Sequence, residues 1–371
     1  MQFGQFLGVG LVLVALIDIF LAVLYARSGA SLLSDRLHGI LWRFFRRVAL
    51  ALPGTGGRDR LLAYAGPGLL VLTVTLWVLL LMVGFALFIQ PALGSAVRST
   101  SGETPTGFAA ALYYAGFSLT TLGTGDLAPF TAFQRLLTVF MAATGFSVLT
   151  LSLTFLTSVY SALVRRNTFA LGLHHRTSGT ADAGVLLTRL GSGGDFSGAQ
   201  QELTTMAEEV INLYESHHFY PVLHYFRFRE HAYSLSRISL LTLDTATLIK
   251  SVLDERAYPS LVGSSAVAAL WGGGTQLLEG VAEAFLPQRP GRVDELTDDT
   301  EKRWREHYRG VADKLRAEGI TVVEDVTAGA DRYVALRRQW GAYVVAFADY
   351  MAYSWDEIAA QETGARVEET G

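Results

Sequence analysis

The segment Thr121-Leu122-Gly123-Thr124-Gly125-Asp126 sets glycines at alternate positions between two threonine hydroxyls and a carboxylate. That arrangement suits an ion-selectivity filter, in which backbone carbonyls face a common axis in successive rings and replace the hydration shell of a permeating cation. Glycine reaches backbone angles closed to residues with a Cβ, so an extended strand can turn alternate carbonyls the same way. Thr121 adds a hydroxyl at the inner end and Asp126 a carboxylate at the outer end. Thr121, Leu122, Gly123, Thr124, Gly125 and Asp126 are therefore the candidate ion-conducting residues.

Such a strand needs a membrane around it, and the charge distribution supplies one. Only 17% of the 371 residues are charged. Neither Leu61 to Val97 nor Leu136 to Val164 contains an Asp, Glu, Lys or Arg. Each run exceeds the roughly 20 apolar residues that a spanning helix requires. The first 26 residues make a third span, broken only by Asp18. That stretch lacks a basic region ahead of its apolar part and stays apolar longer than a secretory signal does, so it reads as a retained helix. Arg27, Arg36, Arg43, Arg46, Arg47, Arg58 and Arg60 follow it against Asp35 and Asp59, which marks the cytoplasmic side. The expected topology has the N-terminus outside and everything after Arg165-Arg166 inside.

Between the first two spans, Leu37 to Leu52 alternates arginines with Leu, Trp, Phe and Val. It reads either as an amphipathic helix in the plane of the lipid interface or as an ordinary positive-inside linker. Pro91 ends the second span. Thr104 or Thr106 can cap a new helix near Gly107, and Phe108 to Thr120 is too short to cross, so it is expected to dip in and return. Non-helical backbone at that depth requires protein or a water-filled cavity around it. Asp18 is an ionisable residue inside a span, which reads as a pathway or gating group or as a structural partner of a hydroxyl or Arg near the inner leaflet.

These residues resemble the pore of the potassium channel family, in particular its two-transmembrane prokaryotic members with a re-entrant pore helix. Leu112-Tyr113-Tyr114 lies where that family has paired pore-helix aromatics, Pro129 and Arg135 follow the filter at similar spacing, and Gly145 falls at the position of an inner-helix glycine hinge. The resemblance covers Leu69 to Val164. It implies K+ at Thr121, Leu122, Gly123 and Thr124, a homotetramer around one axis, and bending at Gly145, though glycine in a membrane helix is also a close-packing residue. Two positions depart from the family. Thr124 stands in place of a Tyr or Phe that braces the filter against the pore helix, and Phe117 in place of a carboxylate that bonds the filter aspartate. Thr124 is expected to be too short to span that gap, and Asp126 to lack that partner, so sodium is expected to be rejected less strictly.

Beyond Arg166 the composition turns globular. Leu203, Met206, Val210 and Leu213 share a helical face, as do Ile238, Leu241, Leu248, Ile249 and Val252. Trp304, Tyr308, Val311 and Leu315 predict a third helix; Tyr333, Leu336, Trp340, Tyr343 and Phe347 predict a fourth. Another, between Ser260 and Phe285, is expected to break at Gly272-Gly273-Gly274, and the chain to fray from Thr363. Leu190-Gly191-Ser192-Gly193-Gly194 lacks the preceding strand and glycine spacing of a phosphate loop. His174, His175, His217, His218, His224 and His231 read as ordinary core or surface histidines, with proton sensing as the functional alternative.

The absence of cysteine excludes disulfide and thiolate chemistry. No nucleophile, base and orienting group stand at a recognisable spacing, so no enzyme is expected. Nucleic acid is not indicated, no cofactor is implied beyond permeant K+ or Na+, and no span carries the regular arginines of a voltage sensor.

The expected fold class is an all-α membrane protein, a P-loop tetrameric cation channel pore with a mainly α-helical cytoplasmic domain. Its parts are an N-terminal span at 1–26, a basic linker at 27–66, a pore domain at 67–165 (outer helix 67–90, pore helix 107–120, filter 121–126, inner helix 133–165) and a helical domain at 166–371. The expected partners are other copies of the chain and membrane lipid, with the regulatory ligand open. A weakly selective monovalent cation channel and a membrane-tethered sensor with a vestigial pore are the alternatives. A cation transporter subunit would repeat the filter motif, which occurs once here.

Overall fold

The computed structural model describes residues 3–25, 31–287 and 298–359. The predicted tail from Thr363 lies outside them. The chain forms two compact units. One comprises Met1–Arg47, Tyr64–Ser161 and Tyr220–Val222; the other comprises Val48–Ala63, Ala162–Phe219 and Leu223–Gly371.

In the first unit, α1 (Phe3–Ile19) packs along α4 (Ala65–Ile89). Their contact is glycine on glycine. A Cβ on Gly8 would meet the Gly84 carbonyl at 2.5 Å, and one on Gly84 would meet the Gly8 carbonyl at 2.8 Å. Lipid offers no hydrophobic drive for two apolar helices to associate, so close backbone approach through small residues provides the attraction. Between them in sequence, α2 (Ser34–Ala51) buries Trp42 and Ala49 and exposes Ile40, Phe44 and Val48.

After α4, the chain enters a short strand, β1 (Val97–Ser99), and then α5 (Phe108–Leu119), a 12-residue helix packed on α4. The segment 120–126 leads into β2 (Leu127–Pro129), antiparallel to β1 with Val97 opposite Pro129 and Ser99 opposite Leu127. This two-stranded sheet corrects the all-α expectation. Three-residue strands are too short for period-two alternation to stand out in the sequence.

A single helix, α6 (Ala132–Arg176), follows and runs for 45 residues. It does not stop at 165 as expected; Arg165-Arg166 lies within the helix. Three helical stretches among the described residues, Phe3–Tyr25, Thr55–Ala92 and Ala132–Arg176, are long and apolar enough to cross a membrane.

The second unit takes α3 (Thr55–Ala63) from the region read as linker, and Arg227 reaches Asp59 there with a 2.7 Å ion pair. Its helices are α7 (Ala183–Leu190), α8 (Ala199–Phe219), α9 (Leu235–Val252), α10 (Pro259–Val262), α11 (Ser265–Phe285), α12 (Asp298–Ala317), α13 (Val326–Arg337), α14 (Gly341–Tyr350) and α15 (Trp355–Ile358). α9 is buried on every face, with α7, α11, α12, α13 and α14 packed around it. Its polar residues therefore need partners inside the core. Asp244 takes hydrogen bonds from Tyr333 at 2.6 Å and Arg337 at 3.4 Å and pairs with His307 at 3.3 Å.

Two helix expectations change. α11 runs unbroken through Gly272-Gly273-Gly274, because Gly273 and Gly274 are buried against α8 and α9, where a Cβ on Gly274 would meet Leu243 at 2.6 Å. The predicted fourth helix is two, α13 and α14. The turn between them brings Trp340 to within 5.2 Å of the buried Arg337 guanidinium, which also lies 4.9 Å from the Trp304 ring.

Candidate functional site: a carbonyl strand at the end of a short helix

The segment 121–126 hangs between two fixed ends. At its N-terminal end, the Leu122 N–H donates to Phe117 O at 2.9 Å and the Thr121 hydroxyl to Thr120 O at 2.7 Å, which closes the C-terminal turn of α5. At its C-terminal end, the Thr100 N–H donates to Asp126 O at 2.9 Å and the Thr100 hydroxyl to Gly125 O at 3.2 Å. Between these ties, no described residue donates a hydrogen bond to the carbonyls of Thr121, Leu122, Gly123 or Thr124. Backbone carbonyls are obligatory acceptors, so these four are available to solvent, a cation or a donor from another chain.

The backbone adopts the alternation that glycine was expected to provide. Thr121, Gly123 and Gly125 have φ of 57°, 59° and 77°, and the residues between them are not left-handed. A sign that alternates residue by residue allows successive carbonyls to face one side. Thr121 bears this conformation despite its branched Cβ, which makes it a strained position.

Asp126 and Thr124 sit together. The Thr124 hydroxyl donates to Asp126 Oδ1 at 2.6 Å. The Tyr113 phenol of α5 lies 3.0 Å from Thr124 Oγ1 and 3.2 Å from the same carboxylate oxygen, so its single proton is shared between them. The Thr124 hydroxyl, and with it the Tyr113 phenol, holds the Asp126 carboxyl below the usual carboxylate range. Thr124 does not itself reach α5, but Tyr113 supplies from the helix the length that threonine lacks, and Asp126, with no carboxylate partner at Phe117, has a phenol in its place. Phe117, at the position of the missing carboxylate, packs edge-on against Tyr113 and Tyr114 with ring centroids 5.2 and 5.1 Å apart. The Tyr113 and Thr100 contacts were not legible in the sequence; a tyrosine eleven positions before a threonine carries no motif.

The remaining predicted positions are also placed. The Arg135 Nε donates to Pro129 O at 3.2 Å, and Tyr114 Oη lies 2.7 Å from Thr138 Oγ1 of α6. Gly145 lies on α6 against the end of α5, where an added Cβ would fall 1.8 Å from Leu119 O. The helix is continuous through it, so Gly145 has a close-packing role in this structure.

Asp18 is fully buried and distant in sequence from the filter. Its carboxylate accepts from Leu33 N at 2.7 Å, Ser34 N at 3.4 Å, Ser34 Oγ at 2.5 Å and Trp77 Nε1 at 2.8 Å. It caps the N-terminus of α2 from another helix and ties α1 to α4. The Ser34 hydroxyl is a partner of the kind that the structural reading of Asp18 expects. Of the six histidines singled out in the sequence, His217 and His224 meet in the second unit with ring centroids 6.2 Å apart, and both are buried.

The family described as "Ion channel" (Ion_trans_2) matches residues 72–162, which contain α5, the carbonyl strand and most of α6. An uncharacterized membrane protein of Bacillus subtilis (strain 168), YdjJ, is 30% identical over 257 residues, 68% of this chain and 71% of that one. No solved structure matches. The chain is a membrane protein with three candidate spans, it is not an enzyme, and it belongs to the ion channel family.

Proposed function

We propose that four copies of the chain surround one pore and conduct monovalent cations, potassium foremost, along the carbonyls of Thr121, Leu122, Gly123 and Thr124. The observation that carries this reading is the run of four unpaired carbonyls held between paired neighbours, with φ alternating in sign. One chain contributes one strand, and a ring of ligands needs several. The C-terminal end of α5 adds partial negative charge beside the strand.

In this reading the N-terminus is outside, the helical domain after Arg166 is cytoplasmic, and the exposed Ile40, Phe44 and Val48 of α2 meet lipid at the inner interface. The cytoplasmic domain acts on the pore through α6, which is one uninterrupted helix. Bending at Gly145 would require its contact with Leu119 to open.

Reversal potentials of the purified protein in bilayers, with potassium and sodium exchanged across the membrane, test conduction and selectivity together. The expected result is a cation current that prefers potassium. Gly123→Ala should abolish it, because alanine at a φ of 59° is disfavoured and its methyl group would crowd the ion path. Wild-type protein without conductance would favour the sensor with a vestigial pore; equal permeability of the two ions would favour the weakly selective channel.

A further inference from the structure

The antiparallel pairing of β1 with β2 sets Val97 opposite Pro129, Arg98 opposite Ala128 and Ser99 opposite Leu127. Continued in the same register, Thr100 faces Asp126, and its N–H donates to Asp126 O at 2.9 Å. The ladder of the sheet therefore runs into the C-terminal end of the segment 121–126. The Thr100 side chain extends it further: the hydroxyl lies 3.2 Å from Gly125 O and 3.3 Å from Asp126 O, and its single proton is shared between them. Thr100 is itself held by its own loop. The Ser99 N–H donates to Thr104 Oγ1 at 2.9 Å and the Ser99 hydroxyl to Ser101 O at 2.7 Å, so the residues on each side of Thr100 are fixed.

This contact decides where the free carbonyls stop. The positive φ of Thr121 and Gly123 recurs at Gly125, so backbone geometry alone would continue the run through Gly125. The Gly125 carbonyl instead accepts from the Thr100 hydroxyl, and the run ends at Thr124. Glycine is the residue least able to aim a carbonyl by its own backbone preference, so the direction of Gly125 O depends on an external partner. We propose that Thr100 is a positioning residue for ion selectivity: its hydroxyl takes Gly125 O out of the carbonyl array and fixes the end of that array to β1. This role rests on conduction along Thr121 to Thr124 as read above. There the carbonyls discriminate between potassium and sodium through their number and spacing around the ion. A released Gly125 carbonyl would add a ligand at the end of the array and let the segment close around the smaller ion. The Thr100 N–H bond to Asp126 O belongs to the sheet ladder and survives loss of the hydroxyl, so substitution separates the two ties.

The test compares the full chain with Thr100→Val, which keeps the shape and the backbone N–H and removes only the hydroxyl, and with Thr100→Ser, which keeps the hydroxyl. Bi-ionic reversal potentials in bilayers are read beside the thermal midpoint of the purified protein in potassium and in sodium chloride at equal ionic strength. Thr100→Val should lower the potassium-to-sodium permeability ratio roughly fivefold, the worth of one neutral hydrogen bond. It should also narrow the gap between the midpoints in the two salts, while the midpoint in sodium stays at the wild-type value because Thr100 is exposed. Thr100→Ser should keep both readouts near wild type. Thr100→Ala also lacks the hydroxyl and carries the same expectation should valine disturb the loop. A permeability ratio unchanged in the valine and alanine variants would leave the hydroxyl a purely structural tie and overturn the proposal. Wild-type protein that neither conducts nor gains stability in potassium would overturn the conduction reading, and this role with it, before any variant is compared.

Discussion

Tyr113 and Thr124 are joined by a 3.0 Å hydrogen bond between a phenol on α5 and a hydroxyl of the segment 121–126, and both also contact Asp126 Oδ1. In the potassium channel family that the segment resembles, the corresponding brace is an aromatic ring on the strand. Here the ring is on the helix and reaches inward. The three groups form a closed triangle in which one phenol proton, one threonine proton and one carboxylate fix the C-terminal half of the segment 121–126.

Tyr113→Phe keeps the ring but removes the shared proton. The net worth of such a bond is about 1 kcal/mol, so the potassium-to-sodium permeability ratio should fall about fivefold. Bi-ionic reversal potentials read this directly. An unchanged ratio would mean that the triangle does not set the diameter of the strand.

Gly145→Ala should abolish or strongly reduce current, because the new methyl group would overlap Leu119 O and push the end of α5, and with it the strand, out of place. Channel density at the membrane is measured in parallel by surface labelling. A variant that conducts normally would show that α5 and α6 separate in the conducting state, which would restore the hinge reading.

Asp18→Ala leaves Leu33 N, the Ser34 hydroxyl and Trp77 Nε1 without their acceptor in a buried place. The expected loss of stability is about 2–5 kcal/mol. It would be seen as a lower thermal midpoint in detergent and as a red-shifted emission from the Trp77 environment. Asp18→Asn, which keeps an acceptor oxygen, should lose less. Equal midpoints for wild type and Asp18→Ala would return Asp18 to the ion pathway.

His224 provides a pH dependence with a defined sign. Its ring stacks on Phe285 at 4.1 Å, and burial lowers its pKa from 6.5 to about 3. The unfolded chain therefore takes up a proton below pH 6.5 that the folded one refuses, so this contribution to stability is complete above 6.5 and declines as pH falls. The slope is about 1.4 kcal/mol per pH unit for His224, and His217, lowered for the same reason, steepens it. Denaturant unfolding of the full chain at a series of pH values, followed by near-UV circular dichroism, measures it. His224→Phe should flatten the profile; an equally steep profile in that variant would place the effect elsewhere.

The sequence by itself determined the features that depend on the solvent and on local backbone freedom. Uncharged runs longer than a bilayer is thick dictate the apolar helices, since lipid cannot solvate charge. Alternating glycines dictate where left-handed backbone is cheap, and Gly123 and Gly125 adopt it. Helical spacing of apolar residues identified α8, α9 and α12. The tertiary structure decided which polar groups meet. Asp18 and Trp77 are 59 positions apart, Asp244 and Tyr333 are 89 apart, and Arg166 and Phe226 are 60 apart. No periodicity encodes such pairs, because each side chain satisfies its hydrogen-bonding valence with whatever packing brings near. The same reason governs Thr124. Its chemistry alone says that it is short; only the placement of Tyr113 on α5 shows that the gap is bridged from the other side.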